Sequence, residues 1–245
     1  MTPSDKPVLS IIVVSYNTRD MTLACLDSIT ASASHEVIVI DNASTDGSAQ
    51  SIAEHHPDVR LTASAQNLGF ARANNLAAQE ARGDFLLLLN PDTVVKAGAL
   101  DKLIAFAGRT PDAKIWGGRT TFADGTLNPT SCFANTTLWS LFCRATGLTA
   151  IAPSSETFNP ETYGRWSRDT ERDVDIVTGC YFLIERAFWN RLGGFDPDFF
   201  MYGEEVDLCL RAVDLGARPR VTPSSEIVHY GGASEPVRSD RMVKV

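Results

Sequence analysis

Runs of apolar residues alternate with amphipathic segments through the first part of the chain. "VLSIIVVSYN" holds an apolar run over residues 8–14, and a second run over residues 37–40 precedes "DNASTDGS". Such runs are typical of parallel strands that are covered on both faces. Leu23, Leu26 and Ile29 lie between the two runs at helical spacing. The pattern therefore predicts a strand–helix–strand unit with a crossover helix.

The alternation of strands and helices continues beyond this first unit. The next predicted elements are a helix over residues 48–56, a strand at 59–61, a helix around Phe70, Ala73 and Ala77, a strand at 85–89 and a helix through 100–107. This order indicates a doubly wound sheet of the kind that binds nucleotides.

The second half of the chain has a different pattern. "TTFADGTLN" predicts a hairpin that turns at Asp124 and Gly125, and "DIVTGCYFLIE" predicts a strand interrupted at Gly179. A helix in "RAFWNRLGGF" is predicted to end at Gly193. We found no internal repeat and no low-complexity linker, which favours a single domain.

The last predicted helix, "EEVDLCLRAVDLG", is amphipathic. Its apolar residues are expected on one face that packs on the core: Val206, Cys209, Leu210 and Val213. That arrangement leaves three acidic residues off the core: Glu204, Glu205 and Asp207.

Composition and charge exclude some classes of partner. The chain has 245 residues, of which 44% are hydrophobic, and a formal net charge of -8. A net acidic protein is a poor partner for a nucleic-acid backbone, although a bound nucleotide needs only a local cation. The five cysteines are far apart and form no CxxC pair, which is typical of reduced, buried thiols in a soluble cytosolic protein.

Three predicted strand ends are unusually polar. They are Ser15-Tyr16-Asn17, Asp41-Asn42 and Asn90-Pro91-Asp92. Each one alone is explained by ordinary turn chemistry. In a doubly wound sheet, however, ligands bind at the carboxyl ends of the strands. Three such ends on one edge therefore predict a ligand site.

The side chains at these ends suit a nucleoside diphosphate. Asp41 has an acceptor for a base N–H, Tyr16 has a ring to lie against the base, and Asn90 has an amide for ribose hydroxyls. Asp92 has a hard oxygen for a divalent cation, and Pro91 keeps the turn rigid. The chain has neither GxxxxGK[ST] nor GxGxxG. This absence favours a metal ion as the group that neutralises the phosphates.

Several motifs together resemble a known family. They are "SIIVVSYN", "VIVIDNASTDGS", "NLGFARANN", "GDFLLLLNPD", "GGFDPDFFMYGEEVDLCLR" and "HYGGAS". In this order, over about Val8 to Ser234, they resemble family 2 glycosyltransferases of the GT-A fold, nearest the bacterial rhamnosyltransferase-like members that assemble surface polysaccharides.

The resemblance implies an α/β fold in which helices flank a mostly parallel, Rossmann-like central sheet, with a smaller antiparallel element in the C-terminal half. It implies one domain over residues 1–245. Residues 1–93 would bind the nucleotide sugar, and residues 94–245 would bind the acceptor and carry the catalytic base.

The implied reaction is inverting transfer of a sugar from dTDP-rhamnose or a UDP-sugar. The acceptor would be a hydroxyl of a glycan or of a lipid-linked acceptor, in the cytoplasm or at the inner face of the membrane. The implied donor-binding residues are Ser15, Tyr16, Asn17, Asp41, Asn67, Asn90 and Asp92. Asn90-Pro91-Asp92 takes the place of the DxD motif, with asparagine where many members have the first aspartate.

The resemblance also implies roles at two further places. Glu205, with Glu204 beside it, would be the general base, whereas ordinary helix-dipole chemistry also favours acidic residues in a first turn. His229 would ligate Mn²⁺ or Mg²⁺ together with Asp92. The alternative for His229 is a structural histidine at a strand end.

Other interpretations remain open at this stage. The chain suits a non-catalytic nucleotide-sugar or glycan-binding subunit, and paired carboxylates such as Glu204 and Asp207 also occur in glycoside hydrolases. Residues 136–151 are expected to form a core or lid helix, with a peripheral contact to a membrane as the alternative. After "RSDRMVKV" we expect further helices. No oligomeric state is implied.

Overall fold

The protein forms twelve strands and eight α-helices within residues 6–231, which are the residues described by the computed structural model. The strands are β1 Leu9–Ser15, β2 His35–Asp41, β3 Arg60–Ala63, β4 Phe85–Leu89, β5 Thr93–Val95, β6 Ile115–Thr121, β7 Leu127–Asn128, β8 Cys132–Phe133, β9 Arg172–Asp173, β10 Ile176–Val177, β11 Tyr181–Glu185 and β12 Arg220–His229. The helices are α1 Arg19–Ser28, α2 Ser48–His55, α3 Gly69–Glu80, α4 Ala99–Arg109, α5 Leu138–Ala145, α6 Leu148–Ile151, α7 Arg186–Leu192 and α8 Glu204–Asp214.

A central sheet has the order β3-β2-β1-β4-β11-β6-β12-β5. Strands β3, β2, β1 and β4 all run parallel to one another. Strand β11 is antiparallel to both of its neighbours, β4 and β6. Strand β12 is parallel to β6, and β5 returns antiparallel to β12. Strands β8 and β10 form a separate antiparallel pair. The predicted fold class, a mixed α/β sheet with a small antiparallel element, is confirmed.

The continuous apolar runs are explained by burial on both faces of the sheet. Along β1, Ile12 and Val14 pack into the cluster that contains helix α3, whereas Ile11 and Val13 pack into the cluster with helices α1 and α4. All seven residues of β1 are buried. Removal of apolar surface from water on both faces is what makes this strand the centre of the fold.

The interrupted strand at Gly179 is two strands. Residues before the glycine form β10 in the small sheet, and residues after it form β11 in the central sheet. A Cβ atom at Gly179 would lie 3.2 Å from the Phe70 ring. The glycine therefore permits the close approach of Phe70 from helix α3 at the point where the chain changes sheet. The hairpin predicted at Asp124-Gly125 is confirmed by the pairing of β6 with β7.

The predicted core face of helix α8 is wrong in part. Leu210 and Val213 are exposed, whereas the buried positions of this helix are Glu204, Leu208, Cys209 and Ala212. Both sets of residues have helical spacing, so the sequence pattern alone fits two faces. Contact with β10 and α7 selects the face that carries Leu208 and Cys209. The expectation that Glu204 lies off the core is wrong for the same reason.

Helix α5 is not the core helix expected for residues 136–151. Leu138, Trp139, Leu141 and Phe142 are all exposed. The positions of α5 that face the protein interior are instead Ser140 and Cys143. None of the helices between residues 6 and 231 has the length and apolar character that crossing a bilayer requires.

The five cysteines are buried and unpaired, as predicted. The end of "HYGGAS" and the tail "RSDRMVKV" lie outside the described residues, so the further helices expected there stay a prediction.

Gly69 should be among the glycines least tolerant of substitution. Its φ is +78°, and a Cβ atom would lie 2.3 Å from the backbone oxygen of Phe200. Gly125 has a similar φ of +81° with nothing within 4 Å of a Cβ atom. We expect Gly69→Ala to lower the free energy of unfolding by about 3 kcal/mol or more and Gly125→Ala by about 1 kcal/mol. Urea denaturation measures both, and equal losses would contradict the close packing at Gly69.

Candidate functional site

A cavity of about 340 Å³ opens at the carboxyl ends of β1, β2 and β4. The register of the sheet aligns these ends, since Ser15 pairs with Asp41 and Val13 pairs with Leu89. From these ends the cavity is lined by Tyr16, Thr18, Asn42, Asn90 and Pro91. From the second half of the chain it is lined by Thr130, Phe133, Thr178, Gly179, Cys180, Met201, Tyr202, Glu204, Glu205 and His229.

The end of β1 contributes Tyr16 to the cavity wall. Ser15 is fully buried below it, and its hydroxyl is 3.1 Å from that of Thr18 and 2.9 Å from that of Thr22. Asn17 has a left-handed backbone, and its Oδ1 accepts a hydrogen bond from the backbone N–H of Thr45 at 2.8 Å. Ser15 and Asn17 therefore hold the loops together, and Tyr16 is the residue that faces the cavity.

Asp41 is buried at the end of β2. Its Oδ2 accepts a hydrogen bond from the backbone N–H of Ser44 at 3.1 Å. Its Oδ1 is also buried and has no hydrogen-bond partner among the described residues. Because buried acceptors are nearly always satisfied, this Oδ1 is available to accept a hydrogen bond from a bound molecule or from water. Asp41 is not among the residues that line the cavity, whereas its neighbour Asn42 is.

Asn42 holds the loop that precedes helix α3. This role was not predicted from the sequence. Its Oδ1 accepts a hydrogen bond from the backbone N–H of Leu68 at 2.8 Å. Its Nδ2 donates to Asn67 Oδ1 at 2.9 Å and to the carbonyl of Gly69 at 3.3 Å. Asn67 Oδ1 also accepts from the N–H of Gly69 at 2.9 Å. The side-chain carbonyl of Asn67 is thus occupied within the protein, although Asn67 lies at the cavity.

Asp92 and His229 meet because of strand pairing. Thr93 at the start of β5 pairs with His229 at the end of β12, so Asp92 comes beside the imidazole. The distance from His229 Nε2 to Asp92 Oδ1 is 3.4 Å, and both residues are buried. Burial lowers the pKa of His229, but the Cys180 thiol and the Asp92 carboxylate outweigh it and raise that pKa to about 10.

The Asp92–His229 pair fits a divalent cation that a ligand helps to bind. A carboxylate and a neutral imidazole are two suitable donors, so a cation would have to displace the proton that the raised pKa keeps on His229. Within residues 6–231, no cluster of three or more His, Cys, Asp or Glu side chains is arranged to hold a metal. His229 Nδ1 is buried without a hydrogen-bond partner in the part of the chain that is described. A metal here would need further oxygen ligands from a bound anion or from water.

Glu204 and Glu205 begin helix α8 immediately after Gly203, whose φ of 98° turns the chain into the helix. Both glutamates line the cavity. Burial, followed by the charge of Glu205, raises the pKa of Glu204 to about 7. Burial also raises the pKa of Glu205, against the opposing effect of its own N–H and that of Gly203. Raised proton affinity in a cleft suits a carboxylate for accepting a proton.

The apolar part of the cavity lining was not predicted. Phe70, Phe133, Met201 and Tyr202 all line it. Phe70, Met201 and Tyr202 lie within the quoted family motifs, but the sequence assigned them no role in a site, and Phe133 lies outside those motifs. Tyr202 has a φ of 70°, which is unusual for a residue with a side chain and places backbone strain directly before the acidic helix.

Comparison with known proteins gives related sequences and folds. The sequence model described as "Glycosyl transferase family 2" matches residues 10–191. The N-acetylglucosaminyl-diphospho-decaprenol L-rhamnosyltransferase of Mycobacterium tuberculosis (strain ATCC 25618 / H37Rv) is 30% identical over 239 residues, which cover 91% of this chain and 76% of that protein. Rhamnosyltransferase WbbL of Escherichia coli (strain K12) is 25% identical over 232 residues, which cover 90% of this chain and 82% of that protein.

A solved structure with a similar fold is the mannosyltransferase PcManGT from Pyrobaculum calidifontis in complex with GDP-Man and Mn²⁺. It has a TM-score of 0.63 and 22% identity, and the match covers 97% of this chain. This chain spans 59% of the length of that structure. At this identity the likeness shows the GT-A fold.

Glu204 should make the stability of the protein depend on pH. Its pKa is raised from 4.5 to about 7, so the stability associated with the neutral carboxyl is complete below pH 4.5 and is lost as pH rises through about 7. Glu204→Gln should therefore raise the free energy of unfolding by about 2 kcal/mol at pH 8, and this gain should shrink towards zero at pH 4.5.

Denaturant titrations at pH 5 and pH 8 measure this difference. Asp214→Asn is the matched control, because Asp214 is exposed at the far end of the same helix. It should change stability by no more than about 0.5 kcal/mol at either pH. A pH-independent effect of Glu204→Gln would contradict a buried carboxyl with a raised pKa.

Proposed function

Because the chain belongs to glycosyl transferase family 2, we propose that it transfers L-rhamnose or a related hexose from a nucleoside-diphosphate sugar to a lipid-linked glycan. One observation carries this proposal: one residue from each polar strand end, Tyr16, Asn42 and Asn90, lines the same cavity as the acidic end of helix α8. A donor pocket and a proton acceptor are thereby brought together. Asp41 and Asp92 are buried next to these residues in the chain and are not themselves among the lining residues. In this proposal residues 1–93 bind the donor, and residues 94–245 bind the acceptor and supply the base.

The donor in this proposal is dTDP-rhamnose or a UDP-sugar. Both thymine and uracil carry an N–H for which the unpaired, buried Oδ1 of Asp41 is a suitable acceptor. The Tyr16 ring lies against the base, and the Asn90 amide binds ribose hydroxyls. Asn67, whose carbonyl is already used, acts on the donor through the loop that it holds.

Asp92 and His229 would hold Mn²⁺ or Mg²⁺ with the diphosphate of the donor. When bound, the cation neutralises charge on the diphosphate that leaves. Asn90 contributes an amide where the DxD pattern has a carboxylate, so the protein adds less negative charge to the metal. The mannosyltransferase with a similar fold was solved with GDP-Man and Mn²⁺, which supports a donor complex with a cation.

Glu205 is the general base in this proposal. It takes the proton of the acceptor hydroxyl while that oxygen forms a bond to the anomeric carbon. The bond from the anomeric carbon to the phosphate oxygen breaks, and the nucleoside diphosphate leaves with the electron pair. One displacement inverts the configuration. Glu204 is protonated for part of the time near pH 7, so the two glutamates together carry less than two full negative charges beside the acceptor.

The nature of the acceptor is inferred from relatives. The name of the mycobacterial relative gives N-acetylglucosamine linked through diphosphate to decaprenol as its acceptor. We extend this class of acceptor to the present chain, in the synthesis of cell-surface polysaccharide at the cytoplasmic face of a membrane. The non-catalytic binding subunit is the second candidate, and the two experiments below separate it from a transferase.

Nucleotide binding should depend on a divalent cation and on Asp92. A thermal-shift panel of dTDP, UDP, GDP and ADP, each with Mn²⁺, Mg²⁺ or EDTA, measures this. A pyrimidine diphosphate at a hundred times its Kd should add about 2.7 kcal/mol and raise the midpoint by roughly 5 °C or more. EDTA or Asp92→Asn should abolish most of the shift. Absence of a shift with every nucleotide would contradict the donor assignment.

Glu205→Gln should separate binding from chemistry. We expect the rate of sugar transfer to fall by about 10²- to 10⁴-fold, because the variant cannot accept the proton. The midpoint shift with nucleotide and metal should stay unchanged. Asp214→Asn serves as the control for a lost acidic side chain on the same helix and should retain the rate. A Glu205→Gln variant with the wild-type rate would exclude Glu205 as the base, and a wild type that binds donor without transfer would favour the binding subunit.

A further inference from the structure

Helix α5 is amphipathic in the opposite sense from a helix that packs on a core. Its large apolar residues face outwards: Leu138 is 87% exposed, Leu141 46% and Phe142 51%. The small residues Ser140 and Cys143 face the interior instead. A helix that packs on a core buries its apolar stripe. Helix α5 exposes that stripe, so its large apolar residues add little to the core.

The outward orientation of α5 is held by specific contacts. Thr137 and Ser140 form a capping box that begins the helix. The indole N–H of Trp139 donates to the carbonyl of Thr157 at 2.7 Å, and its ring stacks on Phe142 with centroids 5.5 Å apart. Together with Ile151 of helix α6, which is 79% exposed, Leu138, Trp139, Leu141 and Phe142 form a surface that we call the α5–α6 patch.

We infer that the α5–α6 patch inserts into the surface of a lipid bilayer and holds the cavity next to the membrane. Contiguous exposed apolar surface of this kind marks interaction sites with membranes or proteins. The patch combines leucine, isoleucine and phenylalanine with one tryptophan, a residue type that is enriched at the boundary between lipid and water. The choice of a lipid surface rests on the proposed function, because the acceptor proposed above is linked to a lipid.

The area of the patch favours a membrane over a second copy of the chain. Fully exposed aromatic side chains present about 150–250 Å² each, and leucine and isoleucine present less, so five side chains that are exposed by about half to nine-tenths present on the order of 500 Å². A stable protein–protein interface needs about 800 Å² from each partner. Interfacial helices need less, since a few large apolar side chains already give reversible binding to a bilayer.

The position of the patch links it to the cavity. Phe133 lines the cavity, and only residues 134–137 separate it from Leu138 at the start of α5. Ala134 is fixed in this connection by a hydrogen bond from its N–H to the carbonyl of Glu161 at 2.8 Å. A bilayer at the patch would therefore lie close to the acceptor side of the cavity, where a lipid-linked substrate would arrive.

The charge around the patch predicts which lipids it binds. Residues 136–155 contain a single charged side chain, Arg144, and it is paired with Glu161. The whole chain has a formal net charge of -8. Because no basic cluster attracts acidic headgroups here, insertion should be driven by apolar contact, and acidic lipid should not strengthen it.

Vesicle flotation of the full chain tests this inference. The vesicles contain either phosphatidylcholine alone or phosphatidylcholine with 30% phosphatidylglycerol. We expect the wild type to float with both kinds of vesicle. The fraction that floats with phosphatidylcholine alone should be at least as large as the fraction that floats with the mixture. The double variant Leu138→Gln with Phe142→Gln should bind at least tenfold more weakly, because it removes two large apolar side chains from the lipid. Leu210→Gln with Val213→Gln removes exposed apolar residues of α8 instead and should float like the wild type.

Fluorescence gives a second readout of insertion. Trp116 and Trp189 are buried and Trp166 is half-buried outside the patch, whereas Trp139 is 46% exposed within the patch. Brominated lipid should quench the emission of the wild type and should not quench that of a Trp139→Leu variant to the same extent. Quenching that survives Trp139→Leu unchanged would overturn the assignment to this patch.

Three other results would overturn the inference. They are a wild type that stays entirely in the aqueous fraction, flotation that requires phosphatidylglycerol, and flotation that is equal in both double variants. Sedimentation that shows a dimer of the wild type and a monomer of the Leu138→Gln, Phe142→Gln variant would assign the patch to a second copy instead. The nucleotide thermal shift is independent of all these readouts, so failure of membrane binding and failure of the proposed transferase function are distinguishable.

Discussion

The pairing of β5 with β12 is the constraint on which the candidate site depends. It joins the turn after β4 to the last strand of the sheet, and Thr93 opposite His229 sets the register. A slip of one residue would turn the His229 side chain to the other face of the sheet and away from Asp92. The parallel register of β1, β2 and β4 aligns the other polar strand ends with the same cavity. The site is therefore a product of sheet register more than of any single loop.

The acidic end of helix α8 lowers the stability of the folded protein. Two adjacent carboxylates begin the helix, and burial raises the pKa of both. Their Oε2 atoms have no hydrogen-bond partner within residues 6–231. Such an arrangement opposes stability above neutral pH, and the helix dipole offsets only part of it. The proposed function explains why two such carboxylates lie in a cavity with Tyr16 and His229: one of them takes the proton of an acceptor hydroxyl that binds there.

Much of the fold follows from local pattern. The apolar runs of β1, β2 and β4 are buried on both faces, so their two-sided burial is visible in the sequence itself. The polar residues Asp41 and Asn90 mark the edge at which the donor is proposed to bind. The family motifs extend this expectation to Glu205 and His229, whose positions at one cavity depend on long-range pairing that no local pattern reveals.

What could not be predicted depends on tertiary contacts. The spacing of apolar residues in α8 fits two faces, and only packing against β10 and α7 selects the one with Leu208. The role of Asn42 depends on the loop at Asn67, which is distant in sequence. For α5, an apolar stripe was expected to indicate a core helix, but here the stripe faces outwards because Ser140 and Cys143 occupy the interior side.

The most direct test of this account is a crystal structure of the protein with dTDP and Mn²⁺, measured with the anomalous scattering of manganese. The account predicts one anomalous peak that is coordinated by Asp92, His229 and diphosphate oxygens, with the base N–H directed at Asp41. Manganese bound elsewhere, or a nucleotide outside the cavity at the ends of β1, β2 and β4, would contradict it.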